Sequence, residues 1–122
     1  MLSVDVKPIG VIRNRGDGIA MLSVFAAYRQ GLEGLEVGAR VQVLYWMHEL
    51  THGDRRSLRV HPGGDPDREM KGVFSLRSCV RPNPIGVTQG QVVMVNDDGL
   101  SVSGLDAKDG SPLIDIKASC SE

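Results

Sequence analysis

Aromatic side chains are scarce in this sequence. One tryptophan, two tyrosines and two phenylalanines make up 4% of 122 residues, against fifteen glycines and six prolines. That balance favours many turns and short strands over long regular elements. No apolar run approaches the ~18 residues that cross a bilayer, so no membrane span is expected. No G-x-G-x-x-G follows a strand and opens a helix, so any nucleoside ligand is bound without the doubly wound fold. Met1 to Asp5 lacks the basic start and apolar stretch of a signal peptide. The only cysteines, Cys79 and Cys120, are far apart, and without an export signal they are expected as free thiols in a cytoplasmic protein.

What is present fits one domain spanning residues 1–122, large enough for a real core. Val4 to Arg13, with a proline near its start, reads as a strand accessible at its edge. Asn14 to Gly18 is a turn, and Ile19 to Phe25 a returning strand. Ala26 to Leu35 has room for one helical turn, stopped by Gly31 and Gly34. Arg40 to Met47 alternates and then runs apolar, as a central strand does. Glu49 to Lys71 is irregular, rich in Gly, Arg, Asp and Pro, with one β-like piece at Ser57 to Val60. A segment of that length is expected to be functional. Val73, Phe74 and Leu76 read as a short strand and Ile85 to Val95 as a long one. Asn96 to Gly99 has the composition of a hairpin turn with positive φ. Leu100 to Leu105 returns, Asp109 to Pro112 turns, and Leu113 to Lys117 closes the chain. About seven short strands and one or two helical turns predict an all-β domain. A small, partly closed β-barrel buries such a core with few free edges.

The densest chemistry lies between Gly72 and Thr88. Pro82 and Pro84 fix their own φ and push Arg81 and Asn83 out of the helical region. The result is a stiff platform able to hold Arg77, Arg81 and Asn83 at fixed angles, or simply a proline-rich corner between strands. Charge is concentrated nearby. From Arg55 to Arg81 there are seven basic residues against three acidic ones, a local net of +4 that leaves −5 for the rest of a chain whose total is −1. Such asymmetry suits contact with phosphates through one face.

Three further constellations carry alternatives. His48-Glu49-Leu50-Thr51-His52 fits the H-E-x-x-H zinc pattern, but that pattern needs a helix, and here it follows an apolar strand and precedes Gly53. No metal site is therefore expected. Cys79 lies between Arg77 and Arg81, which would favour its thiolate, yet no histidine is adjacent in sequence. Asp106 and Asp109 flank a strand-to-turn passage, where turn capping is the ordinary role of aspartate.

Gly-Val-Phe-Ser-Leu-Arg-Ser-Cys-Val-Arg-Pro-Asn-Pro-Ile-Gly, residues 72–86, resembles the signature of the TsaA-like or TrmO-type family. Lys7 to Ile12, Gly31 to Glu36 with Val43 to His48, and Gly104 to Asp106 with Asp109 to Lys117 resemble its other blocks, so nearly the whole chain is covered. The resemblance implies an S-adenosyl-L-methionine-dependent methyltransferase acting on the exocyclic amine of threonylcarbamoyl-adenosine in tRNA, working as a homodimer. It implies that His48, Glu49, Arg77, Val87, Ser103, Gly104, Leu105 and Asp106 bind the cofactor. Arg81, Asn83, Arg55 and Arg56 would meet the acceptor. Asp106, Asn83 and His48 would be the catalytic candidates. Many members carry a longer segment, with a Pro-Arg-Gln element, where Arg13 to Ile19 stands here, and longer bacterial members have an extra C-terminal domain. A non-catalytic binding module of the same fold and a zinc hydrolase built on His48 and His52 are the alternatives.

Overall fold

The computed structural model describes residues 2–48 and 57–119. Six strands close a barrel: β1 (Gly10–Asn14), β2 (Ile19–Val24), β3 (Arg40–Trp46), β6 (Ile85–Asn96), β7 (Gly99–Ser103) and β8 (Pro112–Ala118). The order around the barrel is β1-β2-β7-β6-β3-β8, with every neighbouring pair antiparallel. The closing seam between β1 and β8 is short, pairing Gly10 with Leu113 and Val11 with Pro112. Strands β4 (Arg59–Val60) and β5 (Lys71–Gly72) form a separate two-stranded ribbon. Short 3-10 turns occur at Ala26–Leu32, Pro62–Gly64 and Val73–Ser75. Among the described residues no helix is long and apolar enough to cross a membrane.

The interior is aliphatic. Ile12, Leu22, Val41, Val43, Leu100, Val102 and Leu113 are each fully buried, with Val24 and Val92 beside them. They are the inward half of each alternating strand, and burying one such side chain is worth about 1.5–3 kcal/mol. Two register shifts bend the wall. One falls between Val92 and Met94 on β6, and the other between Leu44 and Tyr45 of β3, opposite Asp115 and Leu113. The all-β barrel and the helical turn after β2 agree with the sequence reading.

Four local expectations do not hold as read. The first strand starts at Gly10, because Val4 and Val6 are exposed and Pro8 has no N–H to donate; the first barrel bond of the arm is Ile9 N–H to the Leu113 carbonyl at 2.7 Å. Val73–Ser75 is a 3-10 turn, not a strand: Val73 is buried but Phe74 is 76% exposed, and the Leu76 N–H folds back onto the Val73 carbonyl. The hairpin at Asp97-Asp98 uses no positive φ, since among the described residues no non-glycine residue has one. The Ser57 to Val60 piece is reduced to the two residues of β4.

Candidate active site

Inward residues of β3 run Val41, Val43, Tyr45, so the pattern that fills the core delivers a tyrosine to the mouth of the barrel. Across the strand pair, Tyr45 faces Gly86. A Cβ built on Gly86 would lie 2.5 Å from Tyr45 Cζ and 2.8 Å from Cε1 and Cε2. The glycine of the Pro-Asn-Pro-Ile-Gly segment is thus the seat of the aromatic ring.

The signature segment fastens itself down before it reaches β6. Arg81 Nη1 donates to the carbonyls of Leu76 at 3.3 Å and Ser78 at 2.8 Å, and its guanidinium carbon sits 6.0 Å from the Phe74 ring centroid. The Val80 N–H donates to Ser78 Oγ at 3.0 Å. Pro84 is buried, and its carbonyl accepts the Met47 N–H at 2.8 Å. Arg77 Nη2 donates to the Val87 carbonyl at 3.1 Å, which lays the guanidinium along β6 at the barrel mouth.

The third wall is the connection from β7 to β8. Gly104 and Gly110 adopt φ of 87° and 83°, so the chain turns sharply at both ends of the connection. Between them the Asp106 N–H donates to Thr88 Oγ1 at 3.4 Å, and buried Ser111 donates its hydroxyl to the Lys108 carbonyl at 2.6 Å.

Two lobes meet where these walls converge. One, of about 340 Å³, is lined by Tyr45, His48, Arg77, Cys79, Asp106 and Lys108 among others. The other, of about 280 Å³, shares Tyr45, Met47, Arg77 and Asp106 and adds Leu76, Arg81, Val87 and Thr88. Ligand pockets span about 300–1,000 Å³, so the joined lobes are of ligand size. Burial raises the Tyr45 phenol pKa, the Asp106 charge raises it further, and Arg77 opposes both. Tyr45 therefore stays a neutral donor beside one cation and one anion.

Of the residues singled out from sequence, His48, Arg77, Val87 and Asp106 come together here. Ser103, Gly104 and Leu105 line neither lobe. Ser103 donates to the Gln91 carbonyl at 3.4 Å, the Gly104 N–H donates to the Gly18 carbonyl at 3.2 Å, and Leu105 packs on the core. Arg81 borders the second lobe with Nη1 committed to its own loop. Asn83 instead lines a separate apolar groove of about 470 Å³ with Trp46, Ile85, Pro112 and Ile114. Glu49, His52, Arg55 and Arg56 lie outside the described residues, and all of the H-E-x-x-H segment after His48 with them. Among the described residues no group of three His, Cys, Asp or Glu side chains is placed to hold a metal ion. Tyr45, Met47, Thr88 and Lys108 went unnoticed in the sequence. The available signal was Tyr45 at an inward register position opposite a strand glycine.

The family model described as the tRNA-methyltransferase O N-terminal domain matches residues 12–122. A probable S-adenosyl-L-methionine-binding protein of Methanocaldococcus jannaschii is 37% identical over 113 residues, covering 92% of this chain and 89% of its own. An S-adenosyl-L-methionine-binding protein of Archaeoglobus fulgidus is 38% identical over 125 residues, covering 92% and 86%. A crystal structure of TrmO superposes with a TM-score of 0.76 at 28% identity, and that of TrmO from Pseudomonas aeruginosa with 0.72 at 26%. Both cover 98% of this chain, which spans only 58% and 57% of those proteins. With the family model matched over residues 12–122 and relatives above 30% identity covering most of both chains, the chain belongs to the family of tRNA-methyltransferase O N-terminal domains.

Proposed function

We propose that the protein binds S-adenosyl-L-methionine in the two-lobed cleft and transfers its methyl group to the exocyclic amine of threonylcarbamoyl-adenosine in tRNA. The observation that carries this reading is the meeting of Arg77, Asp106 and a neutral Tyr45 in one cleft walled by the signature segment. The residues fit the ligand. Its carboxylate matches Arg77, its ammonium or ribose hydroxyls match Asp106, and its apolar chain matches Met47 and Leu76. When bound, it supplies a methyl group already activated on a sulfonium, so the protein has mainly to position and desolvate the partners. Asp106 and His48 line the same lobe, and either can take the proton that the acceptor amine sheds. The basic stretch from Arg55 to Arg81 supplies phosphate contacts, and Asn83 offers a donor and an acceptor to a base edge. In the same reading the protein works in the cytoplasm as a homodimer, and a sedimentation mass of one chain at micromolar concentration would count against the dimer.

A non-catalytic binding module is the second reading, favoured by relatives named for binding rather than transfer. Calorimetric titration with S-adenosyl-L-methionine, followed by labelled-methyl transfer to tRNA that carries threonylcarbamoyl-adenosine, separates the two. Binding with transfer is expected. Binding without transfer supports the module, and no binding removes both.

A further inference from the structure

We propose that Asn14 is a positioning residue for Asp106: from the end of β1 it grips the backbone on both sides of the aspartate and holds the carboxylate toward the cleft. This rests on the cleft being the donor site. Asn14 Nδ2 donates to the Ala107 carbonyl at 2.8 Å and to the Leu105 carbonyl at 3.5 Å, the two residues that flank Asp106. Its Oδ1 accepts the Gly16 N–H at 3.0 Å, and its own backbone N–H donates to Asp109 Oδ1 at 2.9 Å. One residue therefore bonds to positions 105, 107 and 109 of a loop more than 90 positions away in the chain.

The residue type is dictated by these contacts. They demand two donors and one acceptor from a single short side chain, and only asparagine offers that at this reach. The amide orientation follows from the same partners, because flipping it would set an oxygen against two carbonyls and an NH2 against an N–H. Other ties hold the ends of the loop. The Gly104 N–H reaches the Gly18 carbonyl at 3.2 Å, and the Gly110 N–H reaches the Ile12 carbonyl at 2.8 Å. Close to Asp106 itself, its N–H also donates to Thr88 Oγ1, at 3.4 Å. Without Asn14 the ends stay anchored and Leu105 and Ala107 keep their core contacts, but the two side-chain bonds that flank Asp106 are lost.

Tyr45 supplies a gauge that a purely structural role would not move. Burial raises the Tyr45 phenol pKa most, the Asp106 charge raises it further, and Arg77 opposes both. His48 and Lys108 also line the lobe and are left unchanged in every variant. In a Tyr28→Phe background Tyr45 is the sole tyrosine, and its ionisation is followed by ultraviolet absorbance. Asp106→Asn is expected to lower its midpoint. In Asn14→Ala the midpoint is expected to be already lowered, and adding Asp106→Asn should move it little further. Asn14→Ala should also weaken S-adenosyl-L-methionine binding roughly 3- to 30-fold, the scale of one or two lost hydrogen bonds. If far-UV circular dichroism shows that Asn14→Ala has lost the fold, Asn14→Ser serves instead, since its hydroxyl can accept the Gly16 N–H, its reach to the two carbonyls is lost and it adds no charge to the titration. An equal Asp106→Asn shift with and without Asn14, or no shift in either, overturns the proposal. The titration needs no ligand, so a parent that fails to bind S-adenosyl-L-methionine sinks the donor site without deciding the coupling result.

Discussion

Replacing Gly86 by alanine drives a methyl carbon into the face of Tyr45. The new atom would sit 2.5 Å from Cζ and 2.8 Å from both Cε atoms, where ordinary contact begins at 3.4 Å. Something must move by about 1 Å, since dispersion contacts become repulsive inside that limit. Strand β6 cannot, because its register with β3 is continuous from Arg40↔Gln91 to Trp46↔Ile85. The ring can, because it stands at the mouth and is only half-buried. Overpacking costs about 1–3 kcal/mol, and a ring free to tilt puts this site in the lower half of that range. Alanine also restricts the unfolded chain, which offsets about 0.4–1 kcal/mol. A net loss of up to about 1.6 kcal/mol in urea denaturation follows, with an unchanged m-value. The tilted ring fills the cleft, so calorimetric affinity for S-adenosyl-L-methionine should fall by about tenfold or more. In a Tyr45→Ala background the clash is gone and the sign should reverse, Gly86→Ala becoming neutral or slightly stabilising. The same destabilisation with and without the tyrosine ring would refute the argument.

Arg77→Ala should weaken S-adenosyl-L-methionine binding roughly 5- to 30-fold, less than a buried fork would give because the residue is exposed. Arg77→Lys should recover only part of it, and calorimetric affinity equal to the parent in both variants would remove Arg77 from the site. Arg81→Ala breaks the bonds to the Leu76 and Ser78 carbonyls, so amide exchange across residues 76–83 should quicken while the barrel strands keep their protection. Unchanged exchange there would mean that the loop does not depend on Arg81. The Tyr45 phenol titrates higher in the fold than in the unfolded chain, so its proton is held longer by the folded state. Its contribution to stability is complete below the usual tyrosine value of ~10 and is lost as pH climbs through the raised one. The urea midpoint should drop over that alkaline window, and Tyr45→Phe should flatten the drop.

Much of the barrel was legible because alternation is a direct imprint of one buried face. Ile12, Leu22, Val41, Val43 and Val102 all fall on it. What misled were apolar residues without an inward partner. Val4 and Val6 look like strand residues but lie on an exposed arm, and Phe74 is apolar yet 76% exposed. That Arg77 and Asp106 meet in one cleft was implied by the resemblance alone, since nothing in their spacing brings together residues 29 positions apart. Tyr45 was hidden for the opposite reason. It continues an apolar strand, and only the register opposite Gly86 shows that the strand has reached the mouth. Asn14 was hidden inside a sequence that reads as an ordinary turn, because its partners lie on the far side of the chain.

The aliphatic interior decides what optical spectroscopy sees in this protein. Both phenylalanines and Tyr28 are exposed, so no ring reports on the centre of the barrel. The two half-buried chromophores, Tyr45 and Trp46, are adjacent on β3 and point to opposite sides of the sheet, one into the cleft and one into the groove beside Pro112 and Ile114. Near-ultraviolet dichroism and tryptophan fluorescence therefore monitor the two faces of the mouth. A melting curve recorded from them can finish while the far-ultraviolet amide signal of the closed sheet is still intact. That lag would measure how far the rim opens before the barrel does.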